Sequence, residues 1–324
     1  MTMNDIEKIK ALANSLGFEY SENVPLSRYT TFGIGGKCPL MIEASHERGT
    51  AELVKTLSSE KLPFYIIGKG SNLLVEDGDI PMIFIHMGKA FSDISLENGV
   101  ISCQAGAMLS SVSAVARDNS LTGLEFAYGI PGNMGGAVYM NAGAYGGEMK
   151  DVVISVTACD FSGNIREFTA DELDFSYRHS VFTGGGYVIL SARLRLAAGD
   201  KAAIAARMAE LTEKRREKQP LEYRSAGSTF KRPAGTFAAL LIEECGLKGY
   251  SCGDAQVSEK HSGFVVNKGG ASFADVMNVI DYVKKTVYEK RGIMLECEPE
   301  IIRRGNYPSR SITPQAIFSP EWQR

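Results

Sequence analysis

The chain has 324 residues, of which 44% are hydrophobic and 23% charged, and its net charge is −3. The length fits two or three domains, and the composition is typical of a globular protein. The lack of excess positive charge argues against a nucleic-acid partner. No apolar run approaches the roughly 18 residues of a membrane span. The amino terminus lacks the apolar core of a signal peptide, so we predict a cytoplasmic protein without membrane insertion. The six cysteines form no CxxC pair, which excludes the usual zinc pattern, and no metal site is predicted.

The sequence pattern of residues 1–85 predicts a first subdomain that contains both helices and strands. Ile6 and Ile9 lie on the apolar face of an amphipathic helix near the amino terminus, and a second helix is predicted to begin at Ser45. The next pattern is FYIIGKGSNLLV, whose apolar, glycine-rich and again apolar parts predict a strand, a tight loop and a second strand. A further strand is predicted at IPMIFIHM.

Residues 86–200 predict a second subdomain that is richer in strands. Strand patterns occur in GVISCQAG and GYVILSARLRLAAG, and a helical pattern occurs in MLSSVSAVARDNSLTG. A β-hairpin is predicted for VVISVTACDFSGNIREFT, with its turn at Ser162-Gly163-Asn164.

A change of composition near residue 200 predicts a third domain over residues 201–305. Its first helix runs from about Asp200 to Gln219 and is stopped by Pro220. Two more helices are predicted at AGTFAALLIEECG and SFADVMNVIDYVKKTVYEKRG, and Gly292 lies just past the end of the second. Strands are predicted at HSGFVVNKGG and MLECEPEIIRRG. Residues 306–324 contain three prolines and no periodicity, which predicts an irregular tail.

Three glycine clusters, at residues 30–38, 67–75 and 128–148, indicate a phosphate-bearing ligand. Glycine allows a backbone to turn sharply and a ligand to approach the amides closely. Each cluster alone is equally compatible with ordinary tight turns, but three within one region favour a shared diphosphate ligand. Neither GxGxxG nor GxxxxGK[ST] occurs, so a dinucleotide-type Rossmann unit and a P-loop are not supported.

Six motifs follow one another along the chain: RYTTFGIGG, IGKGSNLLV, GIPGNMGGAVYMNAGAYGGE, FSYRHSVF, QPLEYRSAGSTFKRP and LECEPEIIRRG, which together span roughly residues 25–305. In these motifs and in their order the chain resembles the UDP-N-acetylenolpyruvoylglucosamine reductases, or UDP-N-acetylmuramate dehydrogenases. The resemblance implies an α+β fold, with a PCMH or vanillyl-alcohol-oxidase type FAD-binding domain of two subdomains and a C-terminal α+β substrate-binding domain. The short run from YRHSVF through one helix to QPLEYRSAGS resembles the branch of the family that lacks an extra substrate-covering loop.

The resemblance also implies a set of FAD-binding residues. They are Gly68, Gly70, Ser71 and Asn72 in one loop, and Gly129, Pro131, Gly132, Asn133, Gly135, Gly136, Asn141 and Ala142 in another. The family usually has a small hydroxyl residue and a valine where this chain has Asn133 and Met134, which is a local variation. Relatives of this fold that bind flavin covalently use histidine or cysteine. Residues 67–75 contain neither, so we predict dissociable FAD.

The implied reaction is the NADPH-dependent reduction of UDP-N-acetylenolpyruvoylglucosamine to UDP-N-acetylmuramate, a step of peptidoglycan precursor synthesis. A hydride would pass from NADPH through flavin N5 to C3 of the enolpyruvyl group, and a proton would be added at C2. Arg178 matches the active-site arginine of the family, and its planar guanidinium suits a carboxylate. Ser228 matches the proton donor, although its residue type and setting alone favour a helix cap or a turn.

A third catalytic residue is expected among Glu296, Glu298 and Glu300, which would share one face of a strand. A solvent-facing acidic edge is the simplest interpretation for at least one of them. The family motif places its catalytic glutamate after a proline, which selects Glu300, and Glu298 is the second choice. Such a carboxyl helps an enolate only when it can donate a hydrogen bond, which requires a raised pKa.

Substrate contacts are predicted for Tyr177, Lys231, Arg232 and Arg215. Arg215 belongs to a basic run, most of which is explained by the favourable interaction of positive side chains with a helix C-terminus. The main alternative function is an FAD-dependent sugar or alcohol oxidase of the same fold, which would produce peroxide. A non-catalytic flavin or nucleotide sensor would not need the three catalytic residues. The predicted partners are therefore a UDP-sugar and NADPH. The sequence does not determine the oligomeric state, and a monomer is favoured.

Overall fold

The computed structural model describes residues 1–305, and the predicted irregular tail at 306–324 lies outside them. The helices are α1 Met3–Ser15, α2 Glu47–Ser59, α3 Leu109–Asp118, α4 Met134–Tyr139, α5 Lys201–Lys218, α6 Ala238–Glu244 and α7 Phe273–Arg291. The strands are β1 Glu19–Pro25, β2 Lys37–Glu43, β3 Phe64–Ile67, β4 Leu73–Val75, β5 Ile83–His86, β6 Ile94–Glu97, β7 Val100–Gln104, β8 Leu121–Thr122, β9 Gly143–Ala144, β10 Gly147–Glu148, β11 Val153–Asp160, β12 Ile165–Thr169, β13 Tyr187–Arg195, β14 Ala197–Ala198, β15 Ser251–Cys252, β16 Ala255–Val257, β17 Val265–Asn267 and β18 Glu300–Ile302. Among these residues, every helix is too short or too polar to cross a bilayer.

The first sheet is four-stranded, in the order β1-β2-β5-β3. Strand β1 is antiparallel to β2, whereas β2 and β3 both run parallel to β5. Parallel strands usually bury both faces, and Ile83, Phe84 and Ile85 of β5 are completely buried. The predicted strand, loop and strand at residues 64–75 are observed as β3, a glycine loop and β4, but β4 leaves this sheet.

The second sheet is antiparallel and has the order β12-β11-β13-β7-β6. Its β11–β12 pair is the hairpin predicted from the sequence, and Gly163 provides the left-handed residue of the turn with φ 83°. The largest hydrophobic core joins the two sheets. It contains Leu40 and Phe64 from the first sheet together with Val156 and Leu190 from the second. The loop that precedes α4 packs against this core through Phe126, Ala127 and Ile130.

The segment after residue 200 contributes most of a second core, to which Phe32, Ile34 and Leu74 of the amino-terminal part also belong. Helix α5 ends before Pro220, as predicted. Helices α6 and α7 contribute to a core that also includes the antiparallel strands β15-β16-β17. Helix α7 begins with a capping box between Ser272 and Asp275, and it ends at Gly292 with φ 69°, as the sequence predicts. The Asp77 carboxylate, from the loop after β4, accepts a hydrogen bond from Phe273 N at 2.8 Å and so joins this segment to the first sheet.

The last strand crosses back to the amino-terminal part of the chain. The prediction of one strand through MLECEPEIIRRG is wrong in extent, because only β18 is regular, and it pairs in parallel with β4. The backbone changes partner around Pro299. Glu298 N donates to Thr229 O at 2.9 Å, whereas Glu300 N donates to Asn72 O, also at 2.9 Å. Neighbouring residues of one segment therefore belong to two different surroundings.

Candidate active site

A large cavity lies where the β3–β4 loop meets α4 and β13. Its empty volume, which includes space open to solvent, is about 1020 Å³. Nine of the predicted FAD-binding residues line it: Gly68, Gly70, Ser71, Asn72, Gly132, Asn133, Gly135, Gly136 and Ala142. Much of the remaining wall is apolar and includes Ile67, from the motif IGKGSNLLV, together with Leu109 and Val188, which no family motif indicated.

The glycine loop at residues 68–72 requires glycine for steric reasons. Gly70 has φ 61°, and a Cβ atom there would lie 1.9 Å from the carbonyl oxygen of Tyr29. A Cβ on Gly68 would lie 2.7 Å from Oδ1 of Asn133. The loop therefore runs closely against its neighbours and presents backbone to the cavity, which suits a diphosphate.

Asn133 provides an unsatisfied polar atom in the cavity wall. The side chain is 7% exposed, and its Nδ2 donates to Gly106 O. Among the described residues, Oδ1 has no hydrogen-bond partner. A buried acceptor without a donor is costly, so this atom suits a ligand that brings a hydroxyl or N–H group. Together with the apolar wall and the glycine loop, it fits FAD, which carries a ring system, hydroxyls and a diphosphate.

Gly129, Pro131 and Asn141 do not line this cavity, although all three were predicted to bind FAD. The Asn141 amide is used within the protein. Its Nδ2 donates to Glu148 Oε2 at 2.6 Å and to Ser176 O at 3.0 Å. Asn141 thus ties the β9–β10 hairpin to the turn that carries Arg178, and it supports the neighbouring site.

A second cavity adjoins the first and has an empty volume of about 1080 Å³. Arg178, Ser228 and Glu298 all line it, although they come from three distant parts of the sequence. The two cavities are adjacent along the chain, because Ala142 lines the first and Gly143 lines the second.

The loop that carries Ser228 is fixed by its neighbour Thr229. Thr229 N donates to Gly263 O at 2.8 Å, and Thr229 Oγ1 accepts from Val265 N at 2.9 Å. The helix-cap interpretation of Ser228 is not supported, since the next helix, α6, has Phe237 at its N-cap. Ser228 itself lines the second cavity.

Arg178 lies in a tight turn between Ser176 and His179, whose backbones exchange two hydrogen bonds of 3.2 Å. Its φ of 56° is left-handed, which is uncommon for a residue with a side chain. The guanidinium Nε donates to Glu298 Oε1 at 2.7 Å, and the two side chains are only 22% and 9% exposed. His179 instead faces Asp174 at the surface, consistent with its omission from the predicted site.

The structure separates Glu298 from Glu300. Glu298 lines the second cavity with Arg178 and Ser228, whereas Glu300 lines the first cavity. Burial raises the pKa of Glu298, and the positive charge of Arg178 opposes part of that rise. Glu296 is exposed and pairs with Lys231 at 3.1 Å. The three glutamates therefore have three different surroundings.

Only some of the residues predicted to contact the substrate line the second cavity. Tyr177 and Arg232 line the second cavity, and the Tyr177 hydroxyl accepts from Arg232 N at 3.1 Å. The Arg232 guanidinium lies 4.7 Å from the ring centre of Phe237, which also lines the cavity and carried no sequence signal. Lys231 is held in its surface pair with Glu296.

Arg215 lies apart from both cavity linings. Its side chain packs against Gly129, with Cδ 3.3 Å from the position of a Cβ there. Burial lowers the pKa of Arg215.

Comparison with known proteins identifies both parts of the chain. Residues 39–169 match the FAD binding domain family, and residues 219–302 match the C-terminal domain of UDP-N-acetylenolpyruvoylglucosamine reductase. The UDP-N-acetylenolpyruvoylglucosamine reductase of Agathobacter rectalis is 50% identical over 293 residues, which cover 87% of this chain and 93% of that protein. The Clostridium tetani reductase is 47% identical over 295 residues, or 91% and 96% of the two chains.

The fold agrees with these matches. The crystal structure of the reductase from Thermus caldophilus is 35% identical and superposes with a TM-score of 0.76, covering 88% of this chain and 99% of that one. The predictions of an α+β fold, an FAD-binding domain and an FAD-dependent oxidoreductase are thereby confirmed. With half of its residues identical over nearly the full length of a curated relative, the chain belongs to the UDP-N-acetylenolpyruvoylglucosamine reductase family.

Proposed function

We propose that the protein uses NADPH to reduce the enolpyruvyl ether of UDP-N-acetylenolpyruvoylglucosamine, and that Ser228, Arg178 and Glu298 assist the transfer. The observation that carries the proposal is the convergence of these three side chains in one cavity beside the cavity that fits FAD. In this proposal residues 1–85 and 86–200 hold FAD, and residues 201–305 complete the substrate site. The reaction would take place in the cytoplasm, where NADPH and nucleotide sugars are available.

The glycine loop at residues 68–72 and Asn133 would hold FAD, which would supply hydride transfer from NADPH to C3 of the enolpyruvyl group. Negative charge then develops at C2 of the substrate and spreads into the adjacent carboxylate. The protein has to stabilise that charge and to provide a proton for C2.

Arg178 suits the first task. Its guanidinium remains charged at any working pH and can hold a carboxylate at two points. Its Nε donates to Glu298 Oε1 at 2.7 Å. The ion pair with Glu298 orients the Arg178 guanidinium. A substrate carboxylate would compete with Glu298 for the same N–H groups.

Ser228 suits the second task. A serine hydroxyl is a weak acid, but the acceptor is a strongly basic carbon, and a positioned donor offsets much of the difference. The O–H bond of Ser228 breaks as the C2–H bond forms, and the resulting alkoxide regains a proton from solvent. Arg178 and Arg232 line the same cavity and favour that transient negative charge.

We propose Glu298, the second choice of the sequence analysis, as the carboxyl that lies beside Arg178 and Ser228. Glu298 shares the cavity with Arg178 and Ser228, and its burial favours the neutral acid. A protonated carboxyl can donate a hydrogen bond to the developing enolate, which an ionised one cannot do.

Anaerobic spectroscopy of the purified protein tests this function. We expect a yellow protein whose FAD is fully released by acid precipitation, since residues 67–75 contain no histidine or cysteine. NADPH should bleach the flavin, and the enolpyruvyl sugar should restore its absorbance. UDP-N-acetylglucosamine lacks the enolpyruvyl group and serves as the matched control that should not restore it. Peroxide formation from a sugar or an alcohol would instead indicate an oxidase and contradict the proposal.

A further inference from the structure

The amide of Asn141 forms three hydrogen bonds within the protein, in a completely buried position. Its Nδ2 donates to Glu148 Oε2 at 2.6 Å and to Ser176 O at 3.0 Å. Its Oδ1 accepts from Lys150 N at 2.9 Å. The amide nitrogen of Asn141 therefore already has two acceptors, and neither of them belongs to a cofactor.

The carbonyl that accepts from this amide belongs to the tight turn at residues 176–179, which we call the Arg178 turn. Ser176 O also accepts a 3.2 Å hydrogen bond from the backbone N–H at the far end of the turn. One carbonyl thus closes the turn and fixes it to the neighbouring segment. The other side of the turn is anchored by Ser180, which is completely buried and whose Oγ donates to Tyr139 O at 2.6 Å.

These two anchors matter because the backbone of Arg178 is left-handed, with φ 56°. A residue with a side chain adopts this conformation at a cost, and the conformation persists only where the surroundings fix it. Relaxation of the turn would move the guanidinium away from Glu298 Oε1, to which its Nε donates at 2.7 Å. The position of Arg178 in the second cavity therefore depends on hydrogen bonds that lie outside the cavity.

We propose that Asn141 is a positioning residue for Arg178 and not a ligand of FAD, and that Ser180 is its counterpart on the other side of the turn. The Asn141 amide holds Ser176 O, the turn keeps its left-handed residue, and the guanidinium remains in the wall of the second cavity. The inference rests on the proposed function, since that function assigns Arg178 to the enolpyruvyl substrate. Asn141 then acts on reduction of the substrate and not on reduction of the flavin.

Rapid-mixing absorbance of the holoenzyme variant Asn141→Gly tests this proposal. Glycine accepts the left-handed φ of 44° at this position, so the change removes the amide without adding backbone strain. Reoxidation of the reduced flavin by the enolpyruvyl sugar should slow by up to about 10²-fold, as a small misplacement of a catalytic group can cost. Flavin reduction by NADPH and the FAD dissociation constant should stay close to the wild-type values.

Asn98→Gly is the matched control. Asn98 is exposed and also left-handed, with φ 49°, and the same substitution there should change neither half-reaction.

A double-mutant cycle separates positioning from a general structural role. In the Arg178→Ala background no guanidinium remains to be positioned, so Asn141→Gly should cause no further loss. Equal factors of loss in both backgrounds would mean that Asn141 acts independently of Arg178, which overturns the proposal. Weaker FAD binding or slower reduction by NADPH, to the same degree as reoxidation, would also overturn it, because a ligand of FAD predicts that result.

Ser180→Ala decides the question if Asn141→Gly does not fold. It loses the hydrogen bond to Tyr139 O and should likewise slow only reoxidation. An unchanged reoxidation rate in this variant, or equal slowing of both half-reactions, rejects the positioning role. A wild-type protein that the enolpyruvyl sugar does not reoxidise would reject the proposed function itself. Equal reoxidation rates in the wild type and in Asn141→Gly would reject only the role of Asn141.

Discussion

Arg178 Nε and Glu298 Oε1 lie 2.7 Å apart, although 120 residues separate them in sequence. Both side chains are largely shielded from water, and removing one partner of such a pair typically costs about 3–5 kcal/mol because the other charge remains buried. Arg178 therefore needs another anionic partner if Glu298 moves away. A substrate carboxylate can be that partner, since it can take the place of Glu298 on the guanidinium. Glu298 would then lose its cation, and its burial would favour the neutral acid that can donate to the substrate.

Replacing Ser228 with alanine should separate the two half-reactions. Flavin reduction by NADPH needs no proton at a substrate carbon, so its rate should remain close to that of the wild type. Reoxidation by the enolpyruvyl sugar should slow by about 10²–10⁴-fold, the usual contribution of a positioned proton donor. Ser228→Cys should recover part of this rate, because a thiol can also give up a proton. Rapid-mixing absorbance follows each half-reaction, and equal slowing of both would mean that Ser228 only shapes the site.

Arg178→Lys should retain FAD but lose most of its turnover. Lysine keeps the charge and loses the two-point grip on a carboxylate, and Arg178 lines the second cavity, not the first. We expect kcat/KM for the enolpyruvyl sugar to fall by about 10²–10³-fold, as for the loss of one charge-stabilising donor. Steady-state kinetics and flavin content are the measurements. A variant with unchanged kcat/KM would remove Arg178 from the mechanism.

The rate of substrate reduction should fall as the pH rises through the pKa of Glu298. Burial raises the pKa of this carboxyl, so the donating acid form persists above the ordinary range for glutamate and is lost at higher pH. In Glu298→Gln the amide donates at every pH, and the falling limb should disappear while a reduced rate remains. Glu300→Gln should keep the limb. The same limb in Glu298→Gln would assign it to another group.

Gly70→Ala should yield a folded protein with little bound FAD. The new Cβ would meet the Tyr29 carbonyl at 1.9 Å, so the loop at residues 68–72 has to move away from its position in the cavity wall. Gly17→Ala is the control, because Gly17 also has a left-handed φ, 72°, but nothing lies within 4 Å of its Cβ position. The control should have a slightly lower melting temperature and a normal flavin content. Equal flavin loss in both variants would attribute the effect to backbone strain alone.

The sequence predicted those features that depend on neighbouring residues. The glycine loop at residues 67–75 and the end of α7 at Gly292 have local signals, and both are observed. The separation of Glu298 from Glu300 has no such signal, because alternation predicts one shared face for the two side chains. Their difference comes from backbone partners far away in sequence, Thr229 for one and Asn72 for the other.

Family motifs have a related limit, which Asn141 illustrates. The motif selects this residue for FAD, but its amide is occupied by Glu148 and Ser176. Only the folded structure shows that Glu148 and Ser176 already accept the hydrogen bonds of the Asn141 amide.

The pairing of β18 with β4 has a consequence for how the protein folds during its synthesis. The amino-terminal part of a chain leaves the ribosome and begins to fold first, so the two large sheets can form while the last strand is still unsynthesised. The cofactor cavity is then open on the side that Glu300 will close. A nascent chain that stops before residue 300 would hold FAD weakly, and stable capture of the cofactor would follow the docking of β18.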